Sequence, residues 1–252
     1  MQMRCHGGKT KIGKQIAEEL VEILRTNKKL DTYIEPFCGM CGVLYRLCQL
    51  KQTDIPIYAT DKNDSIIQMW KSFQDGWDPE PICTKDKFLE LKAKKYSSPE
   101  KGFYGHAMTF GGLYFQCYQE FLQKSLPSVS RKCNMMAQIM KDVVFFSGDY
   151  ELSTFATNSL IFCDPPYSKH NRYYDEENNK MEFDSNAFWD WCLFMSKSNV
   201  VVVHELYDKK IARKMNARTT LEKVRKCKYS TNYNQDKECL YIIDNRNTSN
   251  SP

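Results

Sequence analysis

Asp164-Pro165-Pro166-Tyr167 directly follows the apolar run Ser159-Leu160-Ile161-Phe162-Cys163. Such a run reads as a buried strand, and the tetrapeptide sets a carboxylate, a fixed backbone carbonyl and an aromatic ring at its carboxyl end. Open α/β sheets bind their ligands at that edge. Two consecutive prolines forbid both helix and continued strand, and they push the residue before each towards an extended conformation, so the turn is stiff. A stiff Asp-Pro-Pro-aromatic turn suits an enzyme that holds a flat, amine-bearing ring. Asp164 and the Pro165 carbonyl would be the acceptors and Tyr167 the stacking face. The plain alternative is a proline-rich loop that ends a strand.

Three further acids stand at the ends of short strand-like runs: Glu35 after Tyr33-Ile34, Asp61 after Ile55 to Ala59, and Asp149 after Val143 to Phe146. In a parallel sheet such ends converge on one edge, where mutual repulsion makes a purely structural purpose improbable. Between the first strand and the next helix lies Phe37-Cys38-Gly39-Met40-Cys41-Gly42, whose glycines permit a tight turn and close approach of backbone to a nucleoside. It matches neither the longer dinucleotide fingerprint nor the phosphate loop, and Gly7-Gly8-Lys9 lacks the upstream glycine of the latter.

The elements that must position these residues follow from periodicity. Helical spacing appears over Lys11–Leu24, Val43–Leu50, Ile66–Phe73 and Asn186–Met195, with strands at 33–34, 55–59, 143–146, 160–163 and 200–203. A last strand pair is expected around Val224–Tyr229 and Cys239–Ile243. Short apolar strands alternating with helices imply an α/β fold with a mostly parallel sheet covered on both faces. The rhythm breaks from about Gln74 to Met140, where lysine clusters and the aromatics Phe103, Tyr104, Phe110, Tyr114, Phe115, Tyr118 and Phe121 suggest a mostly helical insertion.

At 252 residues the chain has room for one large α/β domain with such an insertion, and 42% hydrophobic residues support a sizeable core. No apolar stretch approaches the roughly 20 residues that span a bilayer, so no membrane partner is expected. The amino terminus carries no secretory signal pattern. Eleven scattered cysteines, several within apolar runs, fit reduced thiols in an intracellular protein. The net charge of +5 is unevenly placed: Thr84–Lys141 and Tyr207–Lys228 are both strongly basic, and the remainder is net acidic. Two basic blocks point to a polyanion, with solvated lysines on ordinary helix faces as the alternative for any one residue.

The ordered set Gly7-Gly8-Lys9, Glu35-Pro36-Phe37-x-Gly39, Asp61-x-Asn63, Gly148-Asp149 and Asp164-Pro165-Pro166-Tyr167 resembles the Dam-type adenine-N6 DNA methyltransferases, over nearly the whole chain. The resemblance implies a Rossmann-like methyltransferase fold with antiparallel strands at its carboxyl end. A catalytic domain over 1–73 and 141–252 would carry an inserted target-recognition domain over 74–140. It implies S-adenosylmethionine as methyl donor and double-stranded DNA as partner. Gly7, Gly8 and Lys9 would lie near the methionine moiety, Phe37 and Gly39 beneath it, and Glu35 near its amino group. Asp61 would accept from the ribose hydroxyls, as a two-oxygen acceptor can, and Asp149 from the cofactor adenine. Asp164, Pro165, Pro166 and Tyr167 would grip a base flipped out of the duplex.

The chain departs from that pattern in places. Gly111 stands where the family has Asn in the stretch Thr109 to Tyr114, and Phe115 and Cys117 stand where Arg and Asn follow. These changes touch the choice of DNA sequence and leave the cofactor residues intact. His204-Glu205 stands where relatives often show Ser; His204 either lines the base pocket or is a satisfied structural histidine. Candidate DNA contacts are Tyr114, Arg131, Lys132, Lys209, Lys210 and Arg213. Cys38-x-x-Cys41 has no second pair or nearby histidines to complete a metal site, so no metal is expected. Cytosine-N4 methylation, which presents the same amine geometry, and a catalytically silent DNA-binding relative are the alternatives. A monomer is the default for an enzyme acting on one base at a time.

Overall fold

Ile16, Ala17, Leu20 and Leu24 recur at helical spacing and form one buried stripe, so Gly13–Thr26 folds as helix α1 with that stripe on the sheet. The computed structural model describes residues 9, 12–50, 54–166, 183–224 and 237–247. Strand β1 (Thr32–Glu35), α2 (Leu44–Leu50), β2 (Ile57–Asp61) and α3 (Asp64–Gln74) follow in the anticipated order. Asn63 starts α3 by accepting the Ile66 N–H at 3.3 Å, a cap worth about 1 kcal/mol.

The segment after α3 is helical, with α4 (Lys85–Ala93), α5 (Pro99–Ala107) and α6 (Leu126–Ile139). Thr84 and Ser98 cap α4 and α5 through their hydroxyls. Lys101 is buried, and its ammonium donates to the Lys94 carbonyl at 2.7 Å, where the end of α4 presents unsatisfied oxygens and the negative pole of its dipole. A Cβ at Gly102 would lie 2.3 Å from the Ser65 carbonyl oxygen, so α5 reaches α3 only through a glycine. Phe88, Phe103, Tyr104, Tyr114 and Phe115 join the same buried cluster as Trp70 and Phe73 of α3, so apolar packing is continuous from the sheet into this segment.

The sheet resumes with β3 (Val143–Ser147) and β4 (Ser159–Cys163), then α7 (Ser185–Met195), β5 (Val200–Leu206), α8 (Lys209–Lys214), β6 (Arg218–Val224) and β7 (Lys237–Ile243). Strand order is β3-β2-β1-β4-β5-β7-β6. The first five strands are parallel, and β7 runs antiparallel to both β5 and β6. Here the sequence reading needs correction. Strand β6 begins at Arg218, ahead of the expected Val224–Tyr229, and is described as far as Val224, residues 225–229 lying outside the described ones; α8 is an element the periodicity does not predict. One sheet face carries Tyr33, Ala59, Phe145, Leu160, Phe162, Val202 and Leu240, covered by α1, α2, α3 and α6. The other carries Ile34, Ile161, Val203 and Tyr241, packed against Phe188, Trp189 and Cys192 of α7. No described helix is long and apolar enough to cross a membrane. The nine cysteines among the described residues are all free thiols.

Candidate active site

After β1 the chain winds outward through β2 to β3, then crosses back to β4 on the other side of β1. The carboxyl ends of β1 and β4 therefore flank the switch point of the sheet, where an open α/β fold leaves a crevice. Glu35 is the last residue of β1, and Asp164 the first after β4.

Strand alternation decides which acids face each other. Tyr33 on β1 and Ala59 on β2 point into the α1 side of the core, so Glu35 and Asp61, each two residues on, point to that side too. The same parity carries Asp164 beyond Phe162, His204 beyond Val202, and Glu238 two residues before Leu240. Cys163 is paired with Val203, which sets Asp164 and His204 side by side one step further along. Asp61, Asp164 and His204 thus form one level row along the sheet edge, with Glu35 one two-residue step deeper on β1 and Glu238, opposite Leu206, one such step further out on β7.

Lys9 reaches down into that row just ahead of α1. Its Nζ lies 2.7 Å from Asp164 Oδ1, both side chains being largely buried. Burial would push the Asp164 carboxyl up, but the Lys9 ammonium and the nearby His204 outweigh it and hold the group below the usual carboxylate range. Glu35 goes the other way. It is 2% exposed, and burial raises it to about 8; Asp164's charge adds to the rise, while the Tyr33 hydroxyl donating at 2.7 Å opposes it. Two carboxyls at one crevice are therefore split, one ionised and one protonated at neutral pH.

The glycine loop is held by Asp61. Its Oδ2 accepts the Gly39 N–H at 2.9 Å and its Oδ1 the Asn63 N–H at 2.9 Å. Gly39 has φ +45, and a Cβ placed on it would meet none of the described residues within 4 Å. Its carbonyl accepts the Trp70 indole N–H at 2.9 Å, an anchor that sequence reading missed. Phe37 stacks on Tyr150 at 5.7 Å and packs edge-on against Phe188. Tyr150 follows Asp149, whose Oδ2 pairs with Lys62 at 3.0 Å and whose Oδ1 accepts the Tyr150 N–H at 2.7 Å.

The structure thus brings together Lys9, Glu35, Gly39, Asp61 and Asp164, with Phe37 and Asp149 on neighbouring loops, and keeps Pro165 buried and Pro166 partly so. Gly7, Gly8 and Tyr167 lie outside the described residues. Arg131, Lys209, Lys210 and Arg213 are exposed and Lys132 is partly so. Tyr114 is buried at 5% exposure, its ring 4.9 Å from His106 and 4.8 Å from Phe115, so in this conformation it supports its loop and offers no open face. Burial raises both Cys38 and Cys41 thiols, which keeps them protonated. Among the described residues no cluster of His, Cys, Asp and Glu is arranged to hold a metal ion.

The family model described as D12 class N6 adenine-specific DNA methyltransferase matches residues 6–134, just over half of the chain. That span includes Lys9, Glu35, Gly39 and Asp61 and stops short of Asp149 and Asp164. None of the curated proteins matches the chain. Similar solved structures include a conserved hypothetical protein from Streptococcus pyogenes, at 11% identity with 85% of this chain and 87% of that one covered and a TM-score of 0.37. TrmN from Thermus thermophilus is similar at 10% identity, with 92% of this chain and 48% of that one covered and a TM-score of 0.42. The methyltransferase domain of bacterial CtHen1 is similar at 11% identity, with 92% and 100% covered and a TM-score of 0.44.

Proposed function

The chain belongs to the D12 class N6 adenine-specific DNA methyltransferase family, and we propose that the row of acids at its switch point is the site of methyl transfer to an adenine flipped out of duplex DNA. Family membership selects adenine N6 over the cytosine-N4 alternative. S-adenosylmethionine, when bound, supplies an electrophilic methyl group. The observation that carries the reading is the split pair at the crevice: Asp164 kept ionised by Lys9, beside Glu35 kept protonated by burial.

The residues present fit that cofactor. Among the described residues nothing crowds Gly39, Asp61 is a carboxylate whose two oxygens are anchored by backbone N–H groups, and the row offers negative charge to a cation. Glu35 would face the amino group, Lys9 the carboxylate end, Phe37 and Gly39 the underside, and Asp149 the adenine ring. On the base side, Asp164 and the Pro165 carbonyl would accept the amine hydrogens. That contact favours a tetrahedral nitrogen and aims its lone pair, which is otherwise delocalised into the ring. Positioning and preorganised charge supply the rate gain. Lys209, Lys210 and Arg213 on α8, which starts two residues after β5 at the same sheet edge, would hold phosphates, as would Arg131 and Lys132. We read 74–140 as the part that selects the DNA site and the protein as a monomer working inside the cell.

The test is incubation with methyl-labelled S-adenosylmethionine and duplex DNA, digestion to nucleosides, and mass identification of the product. N6-methyladenine is the expected product, and no label in any DNA overturns the proposal. A second prediction follows from the glycine loop. Gly39→Ala adds a methyl group to that loop and strains the backbone by about 1–2 kcal/mol. Cofactor affinity should fall about tenfold or more, a loss of roughly 1.4 kcal/mol. Wild-type affinity by titration calorimetry would remove Gly39 from the cofactor site.

A further inference from the structure

We propose that His204 and Glu238 form a proton exit behind Asp164, an inference that rests on the methyltransferase reading above. His204 is 1% exposed and occupies the lateral position next to Asp164. Its Nδ1 lies 3.7 Å from Asp164 Oδ1 and its Nε2 3.9 Å from Glu238 Oε2. An imidazole between two carboxylates, one at the crevice and one on β7 at the margin of the sheet, has the connectivity of a relay. The separations are those of a resting site, since catalytic hydrogen bonds are often long before substrate binds.

The reaction needs such a path. Methyl transfer forms the new N–C bond as the donor's S–C bond breaks, and it leaves the amine nitrogen with one proton in excess. That proton passes to the Asp164 carboxylate, its acceptor. Left there it would neutralise the group that Lys9 pairs with and leave the ammonium largely buried without its counter-charge. In the Nε2–H tautomer, His204 Nδ1 instead takes the proton from Asp164 while its Nε2–H is given to the Glu238 carboxylate, so the imidazole ends neutral in the other tautomer and the proton stands at the margin. Among the described residues the groups that face this path are Lys9 ahead of α1, Glu35 on β1, Asp164 after β4 and Glu238 on β7, whose register partner on β6 is Lys223. Glu35 faces the donor's amino group in the reading above and is engaged by that cation, which leaves His204 as the outlet. His204 acts through Asp164 and is a positioning and relay residue.

The test is single-turnover methylation of duplex DNA from pH 6 to 9 by wild type, His204→Ala and Glu238→Gln, with cofactor affinity measured alongside. The expected result is a loss of about 10²-fold in rate for His204→Ala, in the range of a lost acid–base group. Cofactor affinity should stay within twofold, and added imidazole should restore the rate in proportion to its free-base form. Glu238→Gln should flatten the rise of the single-turnover rate with pH. A His204→Ala rate equal to wild type across the range, or a loss that imidazole leaves untouched in a folded protein, overturns the relay and leaves the methyltransferase reading standing. If His204→Ala does not fold, a wild-type profile for Glu238→Gln overturns it. Wild-type protein that transfers no methyl group overturns both.

Discussion

Asp164→Asn is expected to lower methyl transfer by about 10²–10³-fold, the loss seen when one preorganised electrostatic group is removed at a reacting centre. Cofactor affinity should change far less. The amide keeps the shape of the carboxylate and one acceptor oxygen but loses the charge and the second acceptor, and it cannot take the excess proton. The variant also leaves Lys9 without its 2.7 Å partner in a largely buried position. An uncompensated buried charge is ordinarily costly. Glu35 offers relief, because Asp164's negative charge is one of the causes that keeps its carboxyl protonated. With that charge gone, Glu35 should ionise at lower pH and take over as the counter-ion, so the melting temperature should fall less at pH 8 than at pH 5. Single-turnover rates, equilibrium titration of the cofactor, and melting at two pH values read these effects separately. A transfer rate within tenfold of wild type would mean that Asp164 does not hold the amine.

The acid row was legible in the chain because its members follow apolar runs, and such a run next to a carboxylate is a pattern that period-two alternation makes visible. Glu35, Asp61 and Asp164 could be read in this way, and their parallel order implied a shared edge. Lys9 was legible only through resemblance, and nothing in its neighbours announces a pair with Asp164 across 155 residues. His204 could be placed just after the run 200–203, but Glu238 could not be set near it, because that requires the antiparallel register in which Leu206 opposes Glu238. The start of strand β6 was missed because Arg218-Thr219-Thr220-Leu221-Glu222-Lys223-Val224 is an edge strand with charged residues along it and no apolar run. Helix α8 escaped because it is short and carries no buried residue, so packing leaves no periodic trace. Tyr114 belongs to an aromatic patch that reads more readily as a local core than as a stacking face, and Gly105 lets its loop fold back onto α5: a Cβ at Gly105 would lie 2.6 Å from the Tyr114 ring.

Glu35→Gln is expected to stabilise the cofactor-free protein, against the usual rule for a carboxylate. The unfolded chain titrates this group near 4.3, whereas burial holds the folded carboxyl up to about 8. Below about pH 4 both forms are protonated and nothing is lost. As pH rises the unfolded state gives up its proton first. Folded stability therefore drains away until the folded group also ionises near pH 8, for a total of roughly 3–5 kcal/mol. Melting curves of the two proteins should coincide at pH 4 and separate steadily to pH 8, with the variant higher. Binding reverses the balance. A ligand that places an ammonium against Glu35 favours its ionised form, so S-adenosylmethionine should release close to one proton per site at pH 7 and bind nearly tenfold more tightly for each unit by which the pH rises towards 8. Calorimetry in two buffers of different ionisation enthalpy measures that proton directly. Glu35→Gln, which has none to give, should show the same heat in both, as should the wild type if the amino group lies elsewhere. The destabilised resting carboxyl and the pH-dependent affinity are one linkage: what burial costs the empty site near pH 8 is recovered when a cation arrives to share the crevice with Asp164.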